Sequence, residues 1–511
     1  MTAAEDPPSA DDSRISPRQW LILLLVQVTT ITFGMTITAT NVVLPQIRGA
    51  LSATQDQVAW IVTLYLVAAA VATLLTGWLS DHFGWRRLMA GTLIGFAVSS
   101  ALCGLAGSLE TLLMARVLQG VFGAPLMPLG QGILLAVFPR HMHPLVLMLW
   151  GVGGVMGPIL GPVLGGLVGE WLSWRWVFLL MTPIGAASAL LAVVALGEQG
   201  RSTPRRVSAT GFLALAVCMT ATQLILDRGH RLDWFESPEI MIEAVLAIGG
   251  ALVFIFSTLF ARTPFLSREL FTNRNFVLGI LMAFVMGMLS YTPIVLYPAL
   301  LQDLRGYPDS IIGYLMAARG LGNFASFLIV VPFTHFSARM TLGLGLLLQA
   351  YAGFEMSKLN INLTEADIFW TNFVQGFGYG LAYTPMTALA FSTLPPPLIV
   401  QGSALFNLMR NFGSSLFISL SILVLVRTTA ENYSGLSAVI SPLNEILRFP
   451  AFVGRWNLES TAGLAQLSAE IYRQATLGGY LNAFLMFAVT AAAAVPFVLL
   501  FRHAEHAPRP K

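Results

Sequence analysis

Long uncharged runs, repeated along most of the chain, constrain this sequence more than any other feature. A helix crossing the hydrocarbon layer of a bilayer needs about 20 mostly apolar residues. Windows of that kind lie near 20–44, 58–79, 87–108, 111–137, 143–168, 176–196, 209–226, 238–260, 276–301, 309–334, 340–357, 368–393, 402–426 and 478–501. Hydrophobic residues make up 56% of the 511 and charged residues 10%, against roughly a quarter charged in soluble domains. Inside lipid a backbone must satisfy its own hydrogen bonds, which helices do within one segment. The expected fold class is therefore an all-α polytopic membrane protein with about fourteen spans.

The connections divide these windows. Those from Gly197 to Val207 and from Ala261 to Asn275 are polar and basic, and they bracket the windows 209–226 and 238–260. A six-plus-two-plus-six plan follows. Its parts are a cytoplasmic tail (1–19), an N-terminal six-helix bundle (20–197) and two additional transmembrane helices (208–260). A C-terminal six-helix bundle (276–501) and a second tail (502–511) complete it. Met1 to Pro17 is polar, acidic and proline-bearing, so it reads as a tail and not as a cleavable signal.

Arginine placement sets the orientation, because short cytoplasmic loops collect basic residues. Arg18, Arg86, Arg87, Arg140, Arg201, Arg205, Arg206, Arg262, Arg268, Arg274, Arg339 and Lys511 fall on one side of the fourteen windows. The other side holds fewer bases and most exposed acids, among them Asp233, Asp303, Glu365 and Asp367. Both termini are thus expected in the cytoplasm and the long 428–477 segment outside. Glu431, Arg455, Glu459, Glu470 and Arg473 interrupt the apolar residues of that segment, which suits surface-lying amphipathic helices, as a lid or a partner-docking cap. Lysine is nearly absent beside many arginines, which suits a GC-rich bacterial source and an inner membrane.

Three segments carry chemistry. The fifth window is crowded with Gly153, Gly157, Pro158, Gly161, Pro162, Gly165 and Gly166. Small residues three and four apart give a helix a flat face for close backbone packing, as a seam between moving parts or within a static bundle. Gly77-Trp78-Leu79-Ser80-Asp81-His82-Phe83-Gly84-Trp85-Arg86-Arg87 places an acid at a helix end, a glycine turn and then two arginines. That order suits a charge-and-turn latch built on Gly77, Asp81, Gly84, Arg86 and Arg87, or a plain topology signal. Arg116, Arg319 and Arg410 fall inside apolar windows, where an arginine costs roughly 2.5–3.5 kcal/mol on insertion scales. Each must face protein or a wet cavity.

In these segments the chain resembles the major facilitator superfamily, and within it the fourteen-span drug:proton antiporters of the EmrB/QacA type. Gly77 to Arg87 is similar to the loop motif of the superfamily, and Leu113-Met114-Ala115-Arg116-Val117-Leu118-Gln119-Gly120 to the fourth-span motif. Gly153 to Gly166 resembles the fifth-span antiporter motif, and Asn41-Val42-Val43-Leu44-Pro45 the end of the first-span motif. Ala318-Arg319-Gly320-Leu321-Gly322 and the run from Gly402 to Arg410 match in the second half. The resemblance implies two six-helix bundles plus two extra helices, and efflux of amphipathic drugs by proton antiport. It also implies, in double-membrane bacteria, a periplasmic adaptor and an outer-membrane channel as partners.

The departures are as informative. The resemblance implies a first-span aspartate five residues before Asn41, concerned with proton coupling; this chain has Thr36 there. His82 and Trp85 stand where the loop motif is often basic. Glu355, Asp81, Glu110 and Asp227 all lie at helix ends, so no mid-membrane acid balances the three arginines. Thr36, Thr38, Gln119, Asn372 and Gln375 accept hydrogen bonds but cannot neutralise charge. Excess positive potential in a low-dielectric cavity favours an anion. Export of amphipathic organic acids is therefore expected, with a carboxylate near Arg319 or Arg116. Met35, Phe284, Met288, Tyr291, Phe377, Tyr379 and Tyr383 are candidate contacts for the apolar body.

The sequence has no Gly-x-x-x-x-Gly-Lys-Ser/Thr loop, so a proton gradient is the expected energy source. Glu355 and Asp81 are the available, weak carriers, and the substrate's own carboxyl group is an alternative. No enzyme is expected: His82, His141, His143, His230, His335, His503 and His506 form no zinc pattern and lie in loops, tails or helix ends. Cys103 and Cys218 read as small buried thiols. No cofactor, metal or nucleic acid is expected; the partners are the bilayer, protons and a small amphipathic substrate. A transport-inactive scaffold or an organic-anion importer would use the same fold.

Overall fold

The computed structural model describes residues 16–53, 55–139, 142–197, 208–229, 232, 234–307, 309–440 and 460–501. The expectations for His141, His230, Arg140, Arg201, Arg205, Arg206, Asp233, the tails and the 441–459 part of the long segment lie outside the described residues. What is described is almost entirely helix.

The helices are α1 (Pro17–Ala50), α2 (Gln55–Phe83), α3 (Trp85–Leu105), α4 (Leu109–Gly123), α5 (Leu126–Val137), α6 (His143–Trp171), α7 (Trp174–Leu179) and α8 (Met181–Ala195). There follow α9 (Ala209–Arg228), α10 (Pro238–Phe260), α11 (Arg268–Thr272), α12 (Arg274–Arg305), α13 (Asp309–Ser357), α14 (Glu365–Phe391), α15 (Ile399–Val439) and α16 (Thr461–Ala494). Twelve described segments are long and apolar enough to span a membrane. The windows 340–357 and 368–393 are helical too, as the second arm of α13 and as α14. Their lower apolarity reflects side chains such as Gln349, Asn372 and Gln375, all buried against protein. Fourteen helical segments of spanning length are consistent with this chain.

Local chemistry explains the breaks. Ser16 caps α1 by accepting from Gln19 N, and Gln19 returns the bond. Gly84 adopts φ 78° between α2 and α3, a conformation only glycine takes without strain. Helix 4 of the sequence plan divides at Ala124-Pro125 into α4 and α5, because proline removes the donor that would continue the ladder. Conversely α13 joins two expected windows across a single non-helical residue, Ser337. The segment from 428 departs from surface-lying helices: α15 runs on to Val439 and α16 begins at Thr461. At 41 residues, α15 is about 60 Å long, roughly twice the hydrocarbon thickness.

Two compact units emerge. The first comprises Met1–Ala216, Val253–Leu270 and Leu394–Asn407; the second comprises Val217–Leu252, Phe271–Thr393 and Leu408–Lys511. In the first, Ala39, Val43, Ile47, Ile61, Cys103, Leu112, Val177 and Phe178 form a core shared by α1, α2, α3, α4 and α7. In the second, Leu296, Tyr297, Leu300, Leu315, Ala352, Met356, Ile368, Tyr480 and Phe484 join α12, α13, α14 and α16.

Candidate functional site

The glycine-rich stripe of α6 is packed against α1. A Cβ at Gly157 would stand 2.7 Å from Ile31 O and 3.1 Å from Gly34 Cα. One at Gly165 would stand 2.8 Å from Ala39 O, and one at Gly161 would meet Thr38 Oγ1 and Met35 O. Gly153 faces Gln27 in the same row, and Pro158 packs on Gly34. Four-residue spacing thus becomes one continuous backbone-to-backbone seam. Gly166 lies off that row, where a Cβ would find its nearest neighbour, Val42 Cγ1, only at 4.0 Å, and Pro162 follows Gly161 in the same helix. In the loop segment, a Cβ at Gly77 would stand 3.0 Å from Gln401 Cα. Asp81 and Arg86 are half-buried, Arg87 is exposed, and Trp78 stacks on His82.

Arg116 sits fully buried in α4 of the first unit. Its Nε donates to Ile61 O at 3.0 Å and its Nη1 to Gln119 Oε1 at 2.6 Å. Gln119 donates onward to Ser100 Oγ at 2.7 Å. The guanidinium lies 4.1 Å from the Tyr65 ring centroid and 5.6 Å from that of Phe178. Two aromatic faces and two protein acceptors hold this cation in one geometry. Thr36, in place of the aspartate implied by resemblance, is buried and donates to Thr32 O at 2.8 Å. Thr38 bonds back to Gly34 O, and Asn41 is exposed. The structure therefore brings Gln119 to Arg116 but turns both threonine hydroxyls onto the backbone of α1.

The second unit holds the other two arginines differently. Arg319 lies ten residues into α13 and Arg410 eleven residues into α15. Each occurs where glycine lets a neighbouring helix approach: a Cβ at Gly376 would meet Arg319 O, and one at Gly287 would meet Arg410 O. Arg410 Nη1 donates to Tyr383 Oη at 3.2 Å, and Arg410 bonds the Tyr379 side chain as well. The Arg319 guanidinium stands 5.7 Å from the Tyr379 ring centroid. Tyr379 and Tyr383 stack at 5.6 Å with 14° between their planes. Tyr291 completes the group, within electrostatic reach of both arginines. Arg319 and Arg410 are 3% and 6% exposed, yet Arg319 Nη1 has no bond partner among the described residues.

No carboxylate among the described residues bonds Arg116 or Arg319, whose electrostatic neighbours are tyrosines and a cysteine. Glu355 sits in the last turn of α13 and pairs with Lys358 Nζ at 2.9 Å, on a partly exposed surface. It is remote from the arginine cluster in chemistry: its charge is already matched by a neighbour three residues on. Arg228 likewise pairs with Glu239 and Glu243 at the end of α9.

Of the aromatic candidates, Tyr379 and Tyr383 act as hydroxyl and ring partners of the cations, a polar duty beyond the apolar contact expected of them. Phe284 pairs with Phe412 and Phe377 with Phe373. Met35 is buried and Met288 half-buried. Tyr65 was not legible as a partner, because its position 51 residues before Arg116 gives no signal in the sequence. A further polar knot escaped as well: Ser403 Oγ and Asn407 Nδ2 both donate to Gln131 Oε1, at 2.6 and 2.7 Å. Only the Gly402–Arg410 motif hinted at it.

Comparison with known proteins agrees with this geometry. The sequence profile of the Major Facilitator Superfamily matches residues 27–418. The multidrug export protein EmrB of Escherichia coli K12 is 31% identical over 429 residues, covering 83% of this chain and 84% of its own. The fatty acid resistance protein FarB of Neisseria gonorrhoeae is 29% identical over 478 residues, covering 92% and 93%. Among solved structures, the human organic anion transporter MFSD10 superposes with a TM-score of 0.61 at 13% identity, over 95% of this chain and 100% of the other. The proton:xylose symporter XylE gives 0.61 at 12% identity, over 94% and 95%. At such identities these two likenesses establish the fold. A multi-pass helical chain with relatives of this kind over most of its length is a transporter and not an enzyme; it belongs to the Major Facilitator Superfamily, in its EmrB/QacA-like drug:proton antiporter family.

Proposed function

We propose that this chain exports amphipathic organic acids from the cytoplasm by alternating access, as a multi-pass protein of a bacterial inner membrane with both termini inside. One observation carries the reading: Arg319 is buried beside Arg410 and Tyr379, with its Nη1 left without a bond partner among the described residues. A buried donor on a cation costs free energy until an acceptor fills it. A carboxylate or sulfonate supplies that acceptor, and the rings of Tyr291, Tyr379 and Tyr383 offer faces for an apolar body. The name of the relative FarB, a fatty acid resistance protein, points to the same class.

Export draws on the proton-motive force. Family resemblance implies proton antiport, and Thr36 leaves that mode without its usual carboxylate. The α1–α6 glycine seam is the element best suited to sliding during alternating access, because it has few side chains to unlock. The stretches of α15 and α16 beyond the apolar windows, with exposed Leu436, Val439, Leu464 and Tyr472, are the surface offered to a periplasmic adaptor joined to an outer-membrane channel.

The test is a thermal-shift panel on purified protein with alkyl carboxylates, alkyl sulfonates and lipophilic cations. Anions are expected to raise the Tm of the parent and to leave Arg319→Ala unmoved. Equal shifts by cations in both proteins would overturn the reading.

A further inference from the structure

The hairpin of α15 and α16 holds a cavity that the arginine cluster does not use. Both helices belong to the second unit here, and they touch at two levels. A Cβ at Gly479 would stand 2.6 Å from Leu425 O, so the backbones meet there. Eight residues further along α15, Tyr433 Oη bonds Ser468 Oγ at 2.9 Å, and its ring meets that of Tyr472 edge-on with centroids 6.2 Å apart. Between these two contacts, about 12 Å apart along α15, lies a cavity of about 430 Å³. Leu425, Val426, Ala430 and Tyr433 line it from α15, and Tyr472 and Tyr480 from α16. No charged side chain is among its described lining residues. The volume is that of a small-ligand site.

Depth and one hydroxyl say what the cavity takes. The apolar windows of the two helices end at 426 and begin at 478. Leu425 and Tyr480 therefore stand at the edge of the hydrocarbon, with Thr429, Tyr433 and Tyr472 just beyond it. Tyrosines gather at that level, where acyl chains give way to headgroups. Thr476, in the lining, donates to Tyr472 O at 2.7 Å. Thr429 Oγ1, buried in the same lining, has no bond partner among the described residues. A buried hydroxyl costs free energy until an acceptor reaches it. An apolar chain that carries a carbonyl oxygen at its outer end meets both conditions. An ionised cargo does not, because its charge would find no counter-charge among these side chains.

We propose that this cavity binds one acyl chain of a bilayer phospholipid, whose ester carbonyl accepts from Thr429 Oγ1 while the headgroup stays in water. The chain fills a space that would otherwise leave Leu425, Val426 and Ala430 without neighbours on one side. It also fastens the emerging part of the hairpin to the membrane surface. Arg410 lies fifteen residues before Leu425 on α15, about 22 Å along the helix, so the lipid seat stands apart from the arginines and does not depend on an anionic cargo.

The experiment reads lipid adducts of the full-length chain by native mass spectrometry, with dioleoylphosphatidylethanolamine titrated into delipidated protein in detergent. The parent is expected to hold one adduct more tightly than all others. Ala430→Trp puts a ring into the cavity and should remove that adduct. Thr429→Val keeps the shape, loses the hydroxyl and should weaken the adduct about fivefold; it decides the matter if Ala430→Trp fails to fold. Arg319→Ala should bind the lipid as the parent does, whatever becomes of the anion reading. An unchanged adduct in either cavity variant, or no tight adduct in the parent, would overturn the inference. Decanesulfonate that displaces the lipid mole for mole would make the cavity a seat for cargo and overturn the lipid assignment.

Discussion

The first and second units treat a buried arginine in opposite ways. Arg116 is sandwiched between Tyr65 and Phe178 and spends Nε and Nη1 on Ile61 O and Gln119. One nitrogen, Nη2, is left over, behind a wall of protein with 0% of the residue exposed. Arg319 has a single ring at 5.7 Å and an unpartnered Nη1, and its companion Arg410 hangs on tyrosine hydroxyls. A cation satisfied by backbone and amide acceptors is a structural rivet. A cation satisfied by phenols, which accept weakly and reorient readily, stays available to a stronger acceptor. The insertion cost of the residue is the same in both units; what differs is whether the fold has already met it.

Three substitutions would break or sharpen this contrast. Arg116→Ala should have the largest effect, on stability. It strands Gln119 and the Ile61 carbonyl and removes the stacking on Tyr65, for a loss of about 3 kcal/mol. A lower Tm with unchanged anion-induced shift would be the expected result; a normal Tm with no anion response would erase the contrast. Tyr383→Phe should act on ligand response and hardly on the fold. Losing one hydroxyl partner of Arg410 costs about 1 kcal/mol, read as roughly a fivefold change in anion affinity by titration calorimetry. The sign distinguishes roles: tighter binding means the hydroxyl competes with the ligand, weaker binding means it orients the guanidinium. Glu355→Gln should do least. The Glu355–Lys358 pair is a partly exposed i,i+3 contact, worth at most about 0.5 kcal/mol. Transport and its pH dependence are expected to be unchanged; a lost pH response would make Glu355 a proton carrier.

The sequence carried the fold a long way because lipid leaves a chain few options. Each of the fourteen windows is helical in the structure, since an apolar run without charges has no other way to satisfy its backbone. The same strictness made the three arginines visible: an expensive residue in an apolar window must have a reason. The boundaries were harder. The 340–357 window continues from 309–334 across Ser337, and α15 runs past its window to Val439. Polar residues in these stretches are supported by neighbouring helices, which a one-dimensional hydropathy pattern does not register.

The site was only half legible. The small-residue row of α6 could be read from spacing alone, because four-residue periodicity fixes which glycines share a face. Its partner row on α1, and the alignment of Gly161 with Thr38, could not. Arg319 and Arg410 lie 91 positions apart in the chain, and the tyrosines around them come from two further helices, Tyr379 and Tyr383 from α14 and Tyr291 from α12. Glu355 looked available as an acid near a span; its partner Lys358, three residues on, became visible only in the structure.

The amino-acid sequence by itself determined that this is a helical membrane transporter, how many segments can span, and that three cations must be compensated away from water. Those outcomes follow from transfer free energies and periodicity, which are properties of residues in order. Tertiary structure alone decided which arginine is locked and which is open. That depends on acceptors and ring faces supplied by other helices, at separations where sequence order places no constraint on distance.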